Sequence, residues 1–275
     1  MWKLSAFADE ISPGLSEQIT TLVREGIHLV DLRSVAGTNV VDMDALAMET
    51  VQTALERQGL QVACVASPIG KVEVHEDFDG HMGRFSQALA AARTLGARYV
   101  RIFSFYIPKG EAPSRYREEV LRRLQHMVTL AEEANIVLLH ENEKRIYGDL
   151  PERCLDLLQS IGSPNLRMAW DPANFIQCGV SQPFSAGFAA LRPYIAYVHV
   201  KDAKSNGSVV PAGQGYGQWP ETIAALQRSN FDGVFAIEPH LKSASDFGGF
   251  TGPERFAQAA AAFTGLLRDA GIPWS

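Results

Sequence analysis

Four polar residues of metal-binding type stand at the ends of four apolar runs in the second half of the chain. They are Glu141, Asp171, His199 and Glu238, at intervals of 30, 28 and 39 residues. Three carboxylates and one imidazole form a donor set that suits a divalent cation such as Mn²⁺, Mg²⁺, Co²⁺ or Zn²⁺. Packed together without a cation, the carboxylates would raise one another's pKa. The pattern therefore predicts one divalent metal site, provided that the fold brings the four side chains together.

The alternative for any one of these residues is a structural role. A single Asp or Glu after a strand more often caps a helix or solvates a loop. A residue of metal-binding type stands at the end of each of four successive apolar runs, which makes a purely structural role for all of them less favoured. His199 in particular follows an entirely apolar run. The three cysteines, Cys64, Cys154 and Cys178, show no paired spacing, so we expect reduced thiols and no structural zinc site.

The elements that must position these residues alternate along the whole chain of 275 residues. The predicted strands are continuous apolar runs without a period of two, as in parallel sheets that helices cover on both faces. Strict alternation at this length favours a closed (β/α)₈ barrel over an open doubly wound sheet, whose glycine-rich first turn is lacking at residues 9–14. We therefore expect an α/β protein with one TIM-barrel domain spanning residues 1–275.

The pattern of apolar residues places both types of element. The predicted strands cover residues 4–8, 29–32, 62–66, 99–103, 136–139, 166–170, 195–200 and 234–237. The predicted helices cover residues 15–25, 43–57, 81–95, 114–134, 150–161, 184–191, 219–228 and 252–269. Active sites of such barrels lie at the carboxyl ends of the strands, and consecutive strands are neighbours. The four candidate ligands, which end strands five to eight, should therefore converge.

A second group of residues near the predicted strand ends could contact a substrate. Lys201 and His240 each lie two residues beyond a proposed ligand, so the alternation of an extended strand turns them to the same side. Asn142 and Asn174 offer amide groups to substrate hydroxyls, although asparagine is also common in turns. The candidates for substrate contact are Arg33, Ser67, Arg101, Asn142, Asn174, Lys201 and His240.

Three further polar residues near the strand ends have less specific patterns. His140 directly precedes Glu141 and should point the other way, which predicts a core histidine. Lys71 fits either a phosphate contact or a solvated lysine, and Asp202 fits a helix cap or a hydrogen-bond partner behind the site.

Several short motifs at these positions carry a family resemblance. They are H-E-N at 140–142, W-D-P-A-N-F at 170–175, H-V-K-D at 199–202, I-E-P-H at 237–240 and the small-residue loop at 211–215. On these motifs the chain resembles the sugar phosphate isomerase/epimerase family of xylose isomerase-like barrels over essentially its whole length. The resemblance implies one divalent metal on the four candidate ligands. It also implies that Glu141 and Glu238 form the acid/base pair of a reaction that passes through a metal-stabilised enediolate.

The chain departs from the ketose 3-epimerases of that family at three positions. Asn174 stands where they have a sugar-binding histidine, Ser205 where they have an arginine, and Tyr147 where they have a glutamate. These differences argue against a free-ketose 3-epimerase and leave the substrate open. The expected function is thus a metal-dependent isomerase or epimerase of a sugar, keto-sugar or sugar phosphate.

Other functions remain as alternatives. The same enolate chemistry with loss of a β-substituent would give a dehydratase or lyase on a keto-sugar, keto-inositol or 3-keto-glycoside. A DNA-repair hydrolase like endonuclease IV would need several metals and a basic groove, whereas the net charge is −6 and the pI about 5.7. A sugar-binding barrel without activity would be expected to lack a ligand, and all four are present.

The composition indicates which classes of binding partner the chain is expected to have. We expect a small-molecule carbohydrate as the partner and no nucleic acid. No run approaches the roughly 20 apolar residues of a membrane span, and the first residues do not resemble a signal peptide, so we expect a cytoplasmic protein. The oligomeric state stays open, with a homo-oligomer among the options.

Overall fold

Eight parallel strands close into a barrel in the computed structural model, which describes residues 1–245 and 248–275. Each strand pairs with the next along the chain, and the last pairs with the first through partners such as Ser5 and Ala236. The strands are β1 Lys3–Phe7, β2 Leu29–Leu32, β3 Gln61–Val65, β4 Tyr99–Ile102, β5 Val137–Glu141, β6 Leu166–Trp170, β7 Ile195–Val200 and β8 Val234–Ile237. The predicted TIM barrel is confirmed.

Helices follow the strands in the predicted alternation. They are α1 Leu15–Glu25, α2 Ala45–Glu56, α3 Phe78–Thr94, α4 Arg117–Glu133, α5 Pro151–Ile161, α6 Pro172–Gln177, α7 Ala189–Leu191, α8 Trp219–Arg228 and α9 Pro253–Asp269. The prediction placed the start of α3 at residue 81, three residues late, because the cap at Asp77, which accepts from the amides of Asp79 and Gly80, was missed. It also missed the short α6, and residues 184–188 form a π-helical segment before α7.

Side chains fill the interior of the barrel. Phe7, Tyr99, Leu139 and Tyr197 pack there with smaller residues from the other strands. One carboxyl group lies among them: Asp31 accepts hydrogen bonds from the hydroxyls of Ser5 and Tyr197, and burial raises its pKa to about 6. Because this interior is packed, the chemistry of the barrel must lie at the ends of its strands.

Three short antiparallel ribbons that were not predicted extend the carboxyl end of the barrel. They follow β2, β7 and β8 and pair Ser34–Val35 with Thr38–Asn39, Asp202–Ala203 with Val209–Val210, and Ser243–Ser245 with Gly248–Phe250. Polar residues at the ends of these strands, such as Arg33, Lys201 and Glu238, are buried. Within the described part of the chain, no helix combines the length and the apolar character needed to cross a membrane.

Candidate metal centre

The four candidate ligands converge at the carboxyl end of the barrel. Glu141 is the last residue of β5, Asp171 follows β6, His199 lies in β7, and Glu238 follows β8. One ligand atom from each lies within 4.8 Å of those of the other three, and none of the four residues is more than 2% exposed. The parallel order of β5 to β8 is what brings together residues nearly 100 positions apart in sequence.

The donor atoms of this cluster fit a divalent cation. In the described residues, Glu141 Oε2, Asp171 Oδ2 and His199 Nδ1 are buried and make no well-aligned hydrogen bond. His199 Nδ1 lies 3.2 Å from Glu141 Oε1 and 3.3 Å from Glu238 Oε2. Burial would lower the pKa of His199, but the carboxylates of Glu141 and Glu238 outweigh it and raise the pKa to about 10. Burial raises the pKa of Asp171 to about 6. Burial would also raise the pKa values of Glu141 and Glu238, but nearby positive groups, His199 at Glu141 and Lys201 at Glu238, lower both, so the expectation that the carboxylates raise one another's pKa is wrong for these two.

Arg33, a candidate for substrate contact, bridges several protein groups at the cluster. Its Nε lies 2.7 Å from Asp9 Oδ2, and its Nη1 lies 3.2 Å from Glu238 Oε1. Its Nη2 lies 3.2 Å from Glu10 Oε1 and donates to the carbonyl of Gly249 at 3.2 Å. Its guanidinium therefore connects the ends of β1, β2 and β8.

Arg101 and Lys201 also face the cluster. Arg101 Nη1 lies 3.2 Å from Glu141 Oε2 and 3.5 Å from Glu238 Oε1. The rest of its guanidinium donates to the carbonyls of residues 66 and 67. Lys201 Nζ lies 2.8 Å from Asp171 Oδ2 and 2.9 Å from Glu238 Oε2, as its place two residues after His199 predicts. Burial would lower the pKa of Lys201, but Asp171 and Glu238 raise it well above its usual value.

The two asparagines support the ligands. Asn142 donates from Nδ2 to the carbonyl of Asp171 and accepts from the Asp171 amide, at 2.8 and 3.0 Å. Asn174 donates from Nδ2 to Glu141 Oε1 at 3.0 Å and to the carbonyl of Asn142 at 2.9 Å. The expected contacts of these amides with substrate hydroxyls stay predictions, whereas the observed hydrogen bonds connect both side chains to the candidate ligands.

His240, the remaining candidate in the loop after β8, reaches the cluster by an unpredicted route. Its Nε2 lies 3.3 Å from Glu238 Oε1 and 3.0 Å from Glu10 Oε1. The expectation rested on strand alternation, but β8 ends at Ile237 and His240 has a left-handed backbone with φ of 48°. The side chain therefore reaches the expected place through a turn.

Sequence reasoning missed three residues from β1 and the segment that follows it. Glu10 is fully buried and binds Arg33, His240 and Thr251, and Asp9 accepts from Arg33 and Ser34. Phe7 lies beneath, with its ring centroid 5.1 Å from the Arg33 and Arg101 guanidinium carbons and 5.2 Å from the His199 ring. The acidic pair directly after an apolar strand was the available signal, because it repeats the pattern of the four candidate ligands.

Other predicted positions turn away from the cluster. Ser67 donates to the carbonyl of Arg101 at 2.6 Å and accepts from the amide of Ile69, so its hydroxyl serves the backbone. His140 Nε2 lies 2.9 Å from Ser104 Oγ, and burial lowers its pKa to about 4, as expected for a core histidine. Tyr147, where the resemblance pointed to a missing glutamate, donates to Asp156 on α5.

Lys71 and Asp202 both have definite partners. Lys71 is buried, with its Nζ 3.0 Å from Glu143 Oε2 and 4.4 Å from the centroid of the Phe103 ring. Of the two alternatives for this residue, the solvated lysine is therefore wrong, and the phosphate contact stays untested. Asp202 accepts from the amides of residues 203, 213, 215 and 217 at 2.7 to 3.1 Å. Its carboxylate thereby holds the glycine-rich loop after β7 in place.

Comparisons with known proteins agree with this fold. A family model described as xylose isomerase-like TIM barrel matches residues 22–265. A 3-dehydroshikimate dehydratase of Bacillus anthracis is 21% identical over 180 residues, which cover 66% of this chain and 63% of that relative. The match thus spans less than two thirds of the relative's length.

Solved structures share the architecture at low sequence identity. A D-tagatose 3-epimerase-like protein superposes with a TM-score of 0.79 and 17% identity, over 98% of each chain. A protein named IOLI, solved with a bound zinc atom, superposes with a TM-score of 0.74 and 15% identity, over 97% of each chain. At these identities the likeness shows the fold alone.

Proposed function

Because this chain belongs to the xylose isomerase-like TIM barrel family, we propose that it is a divalent-metal-dependent isomerase or epimerase of a sugar, keto-sugar or sugar phosphate. One observation carries this proposal: the buried group of Glu141, Asp171, His199 and Glu238, whose ligand atoms lie within 4.8 Å of one another. The zinc atom in the IOLI structure supports a metal in a barrel of this fold, while the identity of the ion is left to experiment.

In the proposed reaction, separate side chains would bind the metal, transfer the proton and orient the two glutamates. A divalent ion held by the four side chains would supply positive charge to the oxygens of an enediolate. Glu141 and Glu238 would move the proton, one removing it from carbon and the other returning it. The two glutamates come from strands at the two ends of the ligand arc, with the His199 imidazole between them. Arg101, which contacts both carboxylates, and Asn174, which holds Glu141, would keep them oriented.

A dehydratase or lyase is the second candidate function. It would use the same enolate and then expel a β-substituent, which needs a proton donor beside the substrate. His240 stands at the cluster 3.3 Å from Glu238 and could provide that proton. The 3-dehydroshikimate dehydratase among the relatives supports this alternative at the level of reaction type.

The proposal is tested by measuring whether hydrogen bound to carbon in the substrate exchanges with deuterium from the solvent. Mn²⁺-loaded protein is incubated with a panel of ketoses, keto-inositols and their phosphates in D₂O, and products are followed by NMR. We expect at least one substrate to take up solvent deuterium at carbon and to yield an isomer or epimer. An unsaturated product formed with loss of water would transfer the assignment to the dehydratase alternative.

The same exchange experiment on two protein variants tests the proposed role of Glu238. Glu238→Gln should lower the rate of deuterium uptake by a factor of about 100 or more, because it removes a proposed base and a metal ligand. Glu221→Gln, an equal change at an exposed site on α8, should keep the wild-type rate. Wild-type exchange in a folded Glu238→Gln protein would rule out the proposed role of Glu238.

A further inference from the structure

The three permanent cations at the cluster are committed to protein groups in the described part of the chain. Arg33 uses its three nitrogens to bind Asp9, Glu10, Glu238 and a backbone carbonyl. Arg101 and Lys201 likewise bind carboxylates of the cluster, and Arg101 also binds backbone carbonyls. A negatively charged substrate group would therefore have to compete with carboxylates that the fold holds in place.

The charges of this network balance when a divalent ion is included. Among the described residues, five carboxylates are joined to the three cations by ion pairs; they are Asp9, Glu10, Glu141, Asp171 and Glu238. Counted over these carboxylates and these three cations alone, the excess of two negative charges equals the charge of one divalent ion. Asp31, which lies deeper and is bonded to hydroxyls, could add only negative charge.

The loop after β7, where many TIM barrels bind phosphate, already holds an anion of its own. The amides of Gly213, Gly215 and Gly217 point at the carboxylate of Asp202, at 3.1, 2.9 and 2.7 Å. A Cβ on Gly215 would lie 2.4 Å from Asp202 Oδ1, which shows how closely the loop wraps this carboxylate. These amides are the groups that would otherwise cradle a phosphate.

Amides of the loop after β8 are committed in the same way. The amide of His240 donates to Glu10 Oε2 at 3.2 Å, and those of Thr251 and Gly252 donate to the carbonyl of Glu10 at 2.9 and 2.8 Å. In the loops after β3 and β5, Lys71 and Glu143 form a largely buried ion pair without net charge. In the described residues of both loops, the amides named here thus donate to the protein's own carboxylates and carbonyls.

We infer that the site takes an uncharged sugar or keto-sugar, without phosphate or carboxylate groups. This inference rests on the proposed function and narrows its substrate class. A phosphate monoester would bring nearly two negative charges into a buried site whose charges already balance, and burying an unpaired charge is strongly unfavourable. Hydroxyl groups, by contrast, can share the donors and acceptors of ion pairs such as Lys71–Glu143 without upsetting the balance.

The test compares matched ligands by calorimetry on the Mn²⁺-loaded protein. The pairs are D-fructose with D-fructose 6-phosphate, D-xylulose with D-xylulose 5-phosphate, and a keto-inositol with a keto-inositol phosphate. We expect at least one uncharged member to bind, and its phosphate to bind at least about tenfold more weakly. Equal or tighter binding of a phosphate in any pair, or binding of no uncharged member, would overturn the inference.

A variant with altered charge tests whether charge pairing at the site causes the preference for uncharged ligands. Glu143→Gln removes the carboxylate that lies 3.0 Å from Lys71 Nζ and makes the net charge of this side of the site more positive by one, so the preference for the uncharged ligand should shrink about tenfold. Glu133→Gln makes the same change in net charge at an exposed position at the end of α4, and it should keep the wild-type ratio of dissociation constants. An unchanged ratio in Glu143→Gln would show that charge pairing does not set the preference.

These outcomes separate the inference from the proposed function. Uncharged ligands that bind but exchange no carbon-bound hydrogen would contradict the isomerase and leave the substrate class standing. A phosphate that binds tightly and exchanges hydrogen would contradict the substrate class and leave the isomerase standing.

Discussion

At the scale of single residues, Asp171 caps a helix and also occupies the position of a proposed metal ligand, two roles that the sequence offered as alternatives. Its Oδ1 accepts from the amide of Asn174 and caps α6, whereas its Oδ2 faces the cluster, 2.8 Å from Lys201 Nζ. A helix cap and a metal ligand are therefore compatible roles, because a carboxylate has two oxygens that can point in different directions. The cap also fixes the rotation of the side chain, so the oxygen that faces the cluster is held in place.

Asn174 should act on metal affinity without touching the metal. It donates to Glu141 Oε1, so Asn174→Ala leaves that ligand less well oriented. We expect Mn²⁺ affinity, measured by calorimetry, to fall about tenfold, as for other residues that support metal ligands. Gln227→Ala, an exposed amide on α8, serves as the control and should bind Mn²⁺ like the wild type. An Asn174→Ala protein with wild-type affinity would show that Asn174 does not orient Glu141.

His81 should make stability depend on pH. Burial lowers its pKa to about 4, and its Nε2 accepts from the amide of Gly70, so the folded protein keeps it neutral. The unfolded chain binds a proton near pH 6.5. The stabilisation is therefore complete above about pH 6.5 and is lost as pH falls from there towards 4.

The variant His81→Gln keeps an acceptor for the Gly70 amide but cannot titrate. Denaturant unfolding of metal-free protein at a series of pH values should show a smaller loss of stability in this variant than in the wild type between pH 6.5 and 4. Parallel pH profiles for the two proteins would mean that His81 does not contribute.

At the scale of elements, the loop after β3 depends on one glycine. Gly70 has φ of +87°, and a Cβ there would lie 2.0 Å from the carbonyl oxygen of Phe103. The amides of Phe103 and Phe105 donate to the carbonyls of Ile69 and Gly70, which docks the loop on the end of β4. This docking sets the position of Lys71, the residue that follows Gly70.

A pair of glycine variants separates backbone strain from this close contact. Gly59 also has a positive φ, +69°, but no atom lies within 4 Å of its Cβ position. Gly59→Ala should cost about 1 kcal/mol of unfolding free energy for the left-handed backbone alone. Gly70→Ala should cost more than about 3 kcal/mol, because the loop must also move away from β4. Equal losses in denaturant unfolding would contradict the close contact.

At the scale of the whole molecule, we expect the excess of carboxylates at the cluster to make the stability of the barrel depend on a bound cation. The ligands come from four strands, so repulsion among them in the metal-free protein acts between elements far apart in sequence. Mn²⁺ at about 100 times its dissociation constant should add about 2.7 kcal/mol and raise Tm by several degrees.

The specificity of this effect can be tested with two matched substitutions. Asp171→Asn keeps a helix-capping side chain at the start of α6 but removes one anionic ligand, so most of the Tm increase should be lost. Asp269→Asn, at the exposed end of α9, should show the full increase. If Mn²⁺ stabilises the Asp171→Asn protein as much as the wild type, the ion binds elsewhere.

The order of elements and the convergence of the four proposed ligands could be predicted from local pattern. Apolar runs and helical spacing are properties of neighbouring residues, and parallel strands that follow one another in a barrel must be adjacent. Those two facts are enough to bring Glu141, Asp171, His199 and Glu238 together without knowledge of any loop. The helix bounds differ from prediction where the cap at Asp77 was overlooked and where 3-10 or π-helical turns stand before α4 and α7.

Only the tertiary structure decided what surrounds those residues. Glu10 meets His240 and Thr251, which lie 230 and 241 positions away, and Arg33 meets Glu238 across 205 positions. These contacts depend on how the loops after β1, β2 and β8 fold over the barrel, and no local spacing encodes that. The same holds for the amides that surround Asp202 and for the buried pair Lys71–Glu143. Residue types and strand order thus predict a metal centre, whereas the balance of charge around it, and with it the inferred substrate class, depends on long-range packing.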